Sequence, residues 1–248
     1  IYSEEIPLQK IKKEGSTTTS ASILYDILRK LETNSTIELS VQETSKLKLT
    51  SGNSKFNLLC ISSDNFPLSD EKFDQKPFVI SSKAMLKLLN KTKISISNDE
   101  TRHYLNGIYL HKINIDNKLF LSGVATDSHR LSSSRLEVDQ SIEFESIILP
   151  KKTIFQLIHL LEQTVGDIKI ANKKSKIKFE IESGILVSKV IDGRFPDYTK
   201  VVPNDNNKTL EIKLNEFKNS IERVATVSLN RKEGLKMNIS KDSLQFSV

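Results

Sequence analysis

A chain of 248 residues with 37% hydrophobic and 6% aromatic content and no tryptophan can bury one large core or two to three small ones. The net charge of +6 suits a polyanionic partner without demanding one, since a coding bias toward Lys and Asn gives the same excess. Cys60 is the single cysteine, which excludes an intrachain disulfide, and no signal peptide or long apolar run is visible, so the expectation is a soluble cytoplasmic protein.

In chain order, residues 1–19 read as a polar segment ending in a loop from Gly15 to Ser20. Ile23/Leu24, Ile27/Leu28 and Leu31 recur at three and four, predicting a helix over 21–31 with Ser20 as its N-cap. Alternating runs at 36–41, 46–50 and 55–61 predict strands, with turns at Glu43-Thr44-Ser45 and Ser51-Gly52-Asn53. The pattern restarts at Ser81 or Ser82, with Ala84/Met85 and Leu88/Leu89 on one helical face and strands at 108–113, 119–125 and 131–136. It restarts at Pro150, with a stripe of Ile154/Phe155, Ile158 and Leu161 and strands at 167–170, 176–181 and 184–191. A fourth start uses Leu214, Phe217, Ile221 and Val224/Ala225, with strands at 235–240 and 243–248.

One helix followed by about three antiparallel strands thus recurs every 60–70 residues or so. Asp64-Asn65-Phe66-Pro67 ends the first unit and Asp192-Gly193-Arg194-Phe195-Pro196 ends the third, about two units later, so the units pair into domains. The predicted class is α+β: helix-plus-antiparallel-sheet units, two per domain. The predicted boundaries are 1–74 for the second half of a first domain, 75–198 for a complete second domain, and 199–248 for the start of a third. The chain begins at Ile1 and stops in a strand-like run at Val248, and both ends are expected to be cut.

Asp127, Ser128, His129 and Arg130 place an acid, a hydroxyl, an imidazole and a guanidinium in succession. A hydrolase reading fails because neighbours on an extended chain point to opposite faces and no Gly-x-Ser-x-Gly elbow exists. His103, His111, His129 and His159 are scattered and show no metal-ligand spacing, and the eight glycines do not cluster into a phosphate-cradling loop.

Four motifs, in order and in register, carry a resemblance: Tyr104-Leu105-Asn106-Gly107, Val124 through Leu131, Ile147 through Lys152, and Asp192 through Tyr198. The chain resembles the bacterial sliding clamp, the β subunit of DNA polymerase III. The resemblance implies a clamp fold of three similar domains per subunit, with two subunits closing a ring around duplex DNA. Helices would line the ring and sheets would form its rim. It implies no catalysis and no cofactor. Its partners would be the polymerase III catalytic subunit, which it tethers for processive synthesis, the clamp loader, and other proteins carrying a clamp-binding motif.

A sliding ring needs cationic, sequence-blind contacts. Lys83, Lys87 and Lys91 recur every four residues opposite Met85, Leu88 and Leu89; their mutual repulsion is offset by a polyanion, although a solvated helix face gives the same pattern. Arg29 and Lys30 end the first helix, where the macrodipole also favours them, whereas Lys151 and Lys152 open the third against it. Arg102, His103 and Tyr104 stand where the family touches DNA, with His103 replacing a usual aromatic.

The resemblance also implies a pocket between the second and third domains. It takes a short peptide bearing glutamine and leucine and often ending in Leu-Phe. The residues that carry over are Leu105, Thr126, Ser128, His129, Arg130, Leu131, Pro196, Lys200 and Val201. Ser128 replaces a common glycine and Lys200 a frequent arginine, which loses a planar fork. For ring closure, Phe56 and Leu58 share a strand face and would meet Thr226 and Val227 of the partner subunit; alternatively that face covers its own domain. A repeat-built interaction module outside the clamp family is the competing reading. It would keep the repeat but not the four motifs in register.

Overall fold

The three helices that follow a turn-rich segment are each preceded by a short strand that periodicity did not reveal. In the computed structural model, which describes residues 1–43, 45–66, 73, 76–228 and 234–248, the order is β1 (Tyr2–Ser3), β2 (Thr18–Thr19), α1 (Ala21–Leu28), β3 (Glu38–Glu43), β4 (Lys46–Ser51) and β5 (Ser54–Ile61). There follow β6 (Phe78–Ser81), α2 (Ser82–Thr92), β7 (Gly107–Ile115), β8 (Lys118–Thr126) and β9 (Leu131–Glu137). Then come β10 (Ile147–Pro150), α3 (Lys151–Glu162), β11 (Asp167–Lys173), β12 (Lys176–Ile181) and β13 (Gly184–Lys189). The last elements are α4 (Leu214–Ala225), β14 (Lys236–Ile239) and β15 (Leu244–Ser247). Thr44, Pro67 and the expected domain junction at 74–75 lie outside the described residues.

The chain divides into two compact units, Ile1–Phe195 and Pro196–Val248. Within the first, the predicted repeat holds with one addition. The four-stranded sheet β10-β7-β8-β9 and the five-stranded sheet β1-β13-β12-β11-β6 exchange their leading strands. β6 precedes α2 but pairs with β11, from Ser81↔Asp167 to Phe78↔Ile170. β10 precedes α3 but pairs with β7, from Pro150↔Gly107 to Ile147↔Leu110. The two halves are therefore stitched together by backbone hydrogen bonds as well as by side chains.

The core lies beneath α2 and α3. Met85, Leu88 and Leu89 from α2 and Ile154, Leu157 and Leu161 from α3 are at most 2% exposed, among Phe179, Leu121, Leu149 and Ile168 of the sheets. Each such side chain contributes about 1.5–3 kcal/mol by burial. Neither Ser20 nor Ser81, the N-cap residues of α1 and α2, caps its helix through its side chain. The neighbouring Ser82 turns inward instead, its hydroxyl donating to the Thr164 carbonyl at 3.4 Å.

The polar segment 1–19 contains a strand that its sequence did not announce: Tyr2 and Ser3 form an edge strand on β13, opposite Leu186 and Ile185. The face shared by Phe56 and Leu58 has two readings, ring closure and cover of its own domain. β5 lies inside its sheet, ordered β2-β5-β4-β3, and Leu58 is 4% exposed in a small core with Leu47 and Leu49. Phe56, Leu24 and Ile27 pack on the same core. The face shared by Phe56 and Leu58 thus covers its own layer, and the open apolar positions of β5 are Leu59 and Ile61.

The second unit holds α4 and the β14–β15 hairpin, with Phe217 and Phe246 edge to face at 5.5 Å. Thr226 bonds back to the Glu222 carbonyl at 2.9 Å, and Val227 is exposed.

Candidate peptide- and nucleic-acid-binding surfaces

Three of the motifs and the Asp192–Phe195 part of the fourth lie in the first unit, and glycine allows two of the closest approaches. A Cβ on Gly107 would stand 2.2 Å from the Leu149 carbonyl oxygen, and one on Gly123 would stand 2.5 Å from Leu88 Cδ2. The Lys151 N–H donates to the Asn106 carbonyl at 3.0 Å, and Ile191 N–H donates to Ile148 at 2.9 Å. Phe195 stacks on Tyr109 at 4.9 Å, and Tyr109 stacks on His111 at 4.7 Å. Burial holds the His111 imidazole below its ordinary value. This ring stack pins the Asp192–Phe195 segment to β7.

The segment from Thr126 to Leu131 is a wired turn between β8 and β9, closed by the pair Thr126↔Leu131. The Thr126 hydroxyl donates to the Arg130 carbonyl at 2.8 Å and accepts the Ser128 N–H at 3.1 Å. Asp127 Oδ1 accepts the His129 and Arg130 N–H groups at 3.1 and 3.0 Å, and Oδ2 accepts Arg130 Nε at 3.1 Å. Partial burial pushes the Asp127 carboxyl up, but those backbone donors and the Arg130 guanidinium outweigh it and hold the group below the usual carboxylate range. The acid therefore orders a turn, as Asp residues do. The segment is not extended, with Ser128 at φ 76°, so the alternation argument does not apply to it. The hydrolase reading fails instead because the Asp127 carboxylate is committed to the turn and to Arg130, and the Ser128 hydroxyl is taken by Arg102. No group of three or more potential metal ligands forms among the described residues.

Leu105 is 3% exposed, so its side chain is buried rather than open at the surface. Leu131 is half-buried, and Ser128, His129 and Arg130 are exposed. Of the remaining candidates, Pro196, Lys200 and Val201 belong to the second unit. There Asp197 caps the turn Tyr198–Val201 through Thr199 and pairs with Lys200 at 3.5 Å, and Val201 is exposed.

Lys83, Lys87 and Lys91 are all exposed on α2, opposite its buried stripe, and none has an acidic partner among the described residues. A shallow groove of about 370 Å³ between α2 and β9 is lined by Lys87, Lys91 and Arg135, with no carboxylate. Arg135 escaped the sequence reading; its one signal was an outward position on an alternating strand. The other predicted cations differ in freedom. Arg29 pairs with Asp26 at 3.3 Å. Lys151 is held by Asn98, whereas Lys152 is exposed. His103 is exposed with its ring edge-on to Tyr104.

Arg102 is the most committed. Its Nε donates to Asp99 Oδ2 at 2.8 Å and its Nη1 to Ser128 Oγ at 2.7 Å. The Thr101 hydroxyl and N–H, and then Arg102, hold the Asp99 carboxyl down to about 2. A depressed carboxylate contributes in full above its ordinary pKa near 3.8 and loses that contribution as pH falls toward about 2. A carbon-detected NMR titration should place the Asp99 midpoint near 2; a midpoint near 3.8 would mean these bonds are not kept in solution.

Known proteins show the same architecture. Residues 79–197 match the family model for the DNA polymerase III beta subunit, central domain, and residues 2–70 match the model for its N-terminal domain. A beta sliding clamp of Caulobacter vibrioides is 32% identical over 241 residues, 96% of this chain and 65% of that protein. One of Rickettsia felis is 36% identical over 250 residues, 99% of this chain. Among solved structures, a DnaN sliding clamp from Bartonella birtlesii bound to griselimycin matches with a TM-score of 0.90 at 38% identity, over 96% of this chain and 64% of that chain. The C. crescentus beta sliding clamp gives 0.92 at 32% identity, with the same coverage. The chain spans about 65% of the length of the curated relatives it matches. With both family models in place along the chain and a shared fold, the chain belongs to the DNA polymerase III beta subunit family, the beta sliding clamps.

Proposed function

We propose that the protein works in the cytoplasm as a sliding-clamp subunit. It would surround duplex DNA without reading sequence, tether the replicative polymerase for processive synthesis, and act as a platform rather than a catalyst. A second copy would complete the ring, and a clamp loader would open it. The observation that carries the DNA side is the row Lys83, Lys87 and Lys91, exposed on one helix face with no acidic partner among the described residues. Arg29, His103, Tyr104, Lys151 and Lys152 are assigned to the same side. Such contacts attract phosphates while leaving the duplex free to move.

For the partner side, the reading assigns peptide docking to the wall made by Thr126, Ser128, His129, Arg130 and Leu131, with Leu105. Pro196, Lys200 and Val201, in the second unit, are assigned to docking as well. A relative bound to griselimycin supports a ligand-accepting surface in this family.

The test of the DNA side is a salt titration of duplex binding. Replacing Lys83, Lys87 and Lys91 together by glutamine should make the slope of log K against log salt shallower by about 2.7, near 0.9 for each phosphate no longer neutralised. An unchanged slope would remove the lysine row from the DNA face.

A further inference from the structure

Ser128 occupies a conformation that glycine adopts without strain. Four non-glycine residues with positive φ are found among the described residues; three are Asn34, Asp116 and Asn117, whose side chains tolerate it, and the fourth is Ser128 at 76°. The turn does not use the Ser128 hydroxyl to close, because the Thr126 hydroxyl and the Asp127 carboxylate make its internal bonds. The Ser128 hydroxyl reaches outward instead and accepts Arg102 Nη1 at 2.7 Å, across 26 residues of sequence.

Arg102 sits inside the 3-10 segment Glu100–Leu105, at a kink with φ −110° and ψ 56°. Its Nε is fixed by Asp99, which also caps that segment through the Thr101 N–H at 2.9 Å. The guanidinium therefore bridges two elements: Asp99 at the head of the segment that ends in Leu105, and Ser128 in the turn that ends in Leu131.

We propose that Ser128 and Arg102 form a clasp that positions the peptide-docking wall, so that Arg102 serves partner docking rather than DNA. The clasp rests on the docking reading of this wall. It holds the buried Leu105 and the Leu131 rim in one register, and it occupies two directional donors of Arg102 that a phosphate would otherwise recruit. A lysine cannot replace it, since one ammonium does not present the planar fork that serves Asp99 and Ser128 together.

The test uses this chain and a fluorescent pentapeptide carrying glutamine and leucine and ending in Leu-Phe. Ser128→Gly, Ser128→Ala and Arg102→Gln are each expected to weaken peptide binding about tenfold. The double variant Arg102→Gln/Ser128→Gly should bind no more weakly than Arg102→Gln alone. Ser128→Asn tolerates positive φ and keeps an acceptor, so it should stay within about twofold of the parent. Ser128→Gly removes strain and should raise the melting temperature while weakening the peptide, a split that a purely conformational role would not produce. Arg102→Gln should leave the salt slope of duplex binding unmoved. The clasp is refuted if Ser128→Gly binds peptide as well as the parent, if the two losses multiply in the double variant, or if Arg102→Gln flattens the DNA slope by about one with the peptide unaffected. A parent chain that ignores the peptide would overturn the docking reading itself, and the clasp with it.

Discussion

Replacing Gly123 by valine is expected to destabilise the first unit by about 3 kcal/mol, read as a lower denaturation midpoint at an unchanged slope. The reason is local and steric. Even the first added carbon would stand 2.5 Å from Leu88 Cδ2, 3.2 Å from Leu88 Cγ and 3.3 Å from Ile108 Cγ2. Leu88 is 1% exposed and Ile108 is fully buried, so neither can swing into free space. The relief available is to lift α2 from β8 and β9, which opens the core around Met85, Leu88 and Leu89. α2 also carries Lys83, Lys87 and Lys91, so lifting it displaces the proposed DNA face. Gly107→Ala should hurt for a related reason, because its Cβ would strike the Leu149 carbonyl oxygen on β10, which is backbone and cannot rotate away. Gly15→Ala is the control: nothing lies within 4 Å of its added carbon, and the midpoint should move by less than about 0.5 kcal/mol equivalent. A Gly123→Val protein as stable as its parent would mean that α2 does not pack where the structure puts it.

Gly107 of the first motif and Gly123, just before the second, are thus explained by packing, and neither was legible as such in the chain. What the sequence could show was periodicity. The stripe of Met85, Leu88 and Leu89 predicted the buried face of α2, because burial imposes that period directly; β8 was predicted as a strand as well, although its burial runs unbroken from Leu121 to Ala125. The short strands β6 and β10 were invisible for a physical reason. Each is four residues long and runs straight into a helix, so Phe78–Ile80 and Ile147–Leu149 read as helix approach rather than as sheet. β1 exists because β13 offers an edge, and two polar residues carry no period. For Phe56 and Leu58, alternation correctly put both on one face but could not say which face α1 covers. The Arg102–Ser128 bond was beyond any local pattern; Ser128 stood out as a departure from the family, and its partner was fixed by how the 3-10 segment meets the hairpin.

Leu131→Asp is expected to weaken the Gln- and Leu-bearing peptide by at least about thirtyfold, about 2 kcal/mol, while leaving the fold intact. Both halves of that expectation follow from where Leu131 sits. It opens β9, paired with Thr126 at the mouth of the turn, and it is half-buried and outside the hydrophobic cluster beneath α2 and α3. An acid there does not enter the core, so far-ultraviolet circular dichroism and the unfolding midpoint should stay close to those of the parent. At the wall the same change removes the half-exposed leucine at the rim of the turn and places a charge on apolar peptide anchors, which must then shed water without a partner for that charge. Leu136, half-buried further along β9 and packed against the core, is the informative contrast. Leu136→Asp should reduce stability, and any effect on the peptide should track the unfolded fraction. If Leu131→Asp leaves peptide affinity within about twofold of the parent at full folding, the docking site lies elsewhere on the protein, and the turn from Thr126 to Leu131 is structural only.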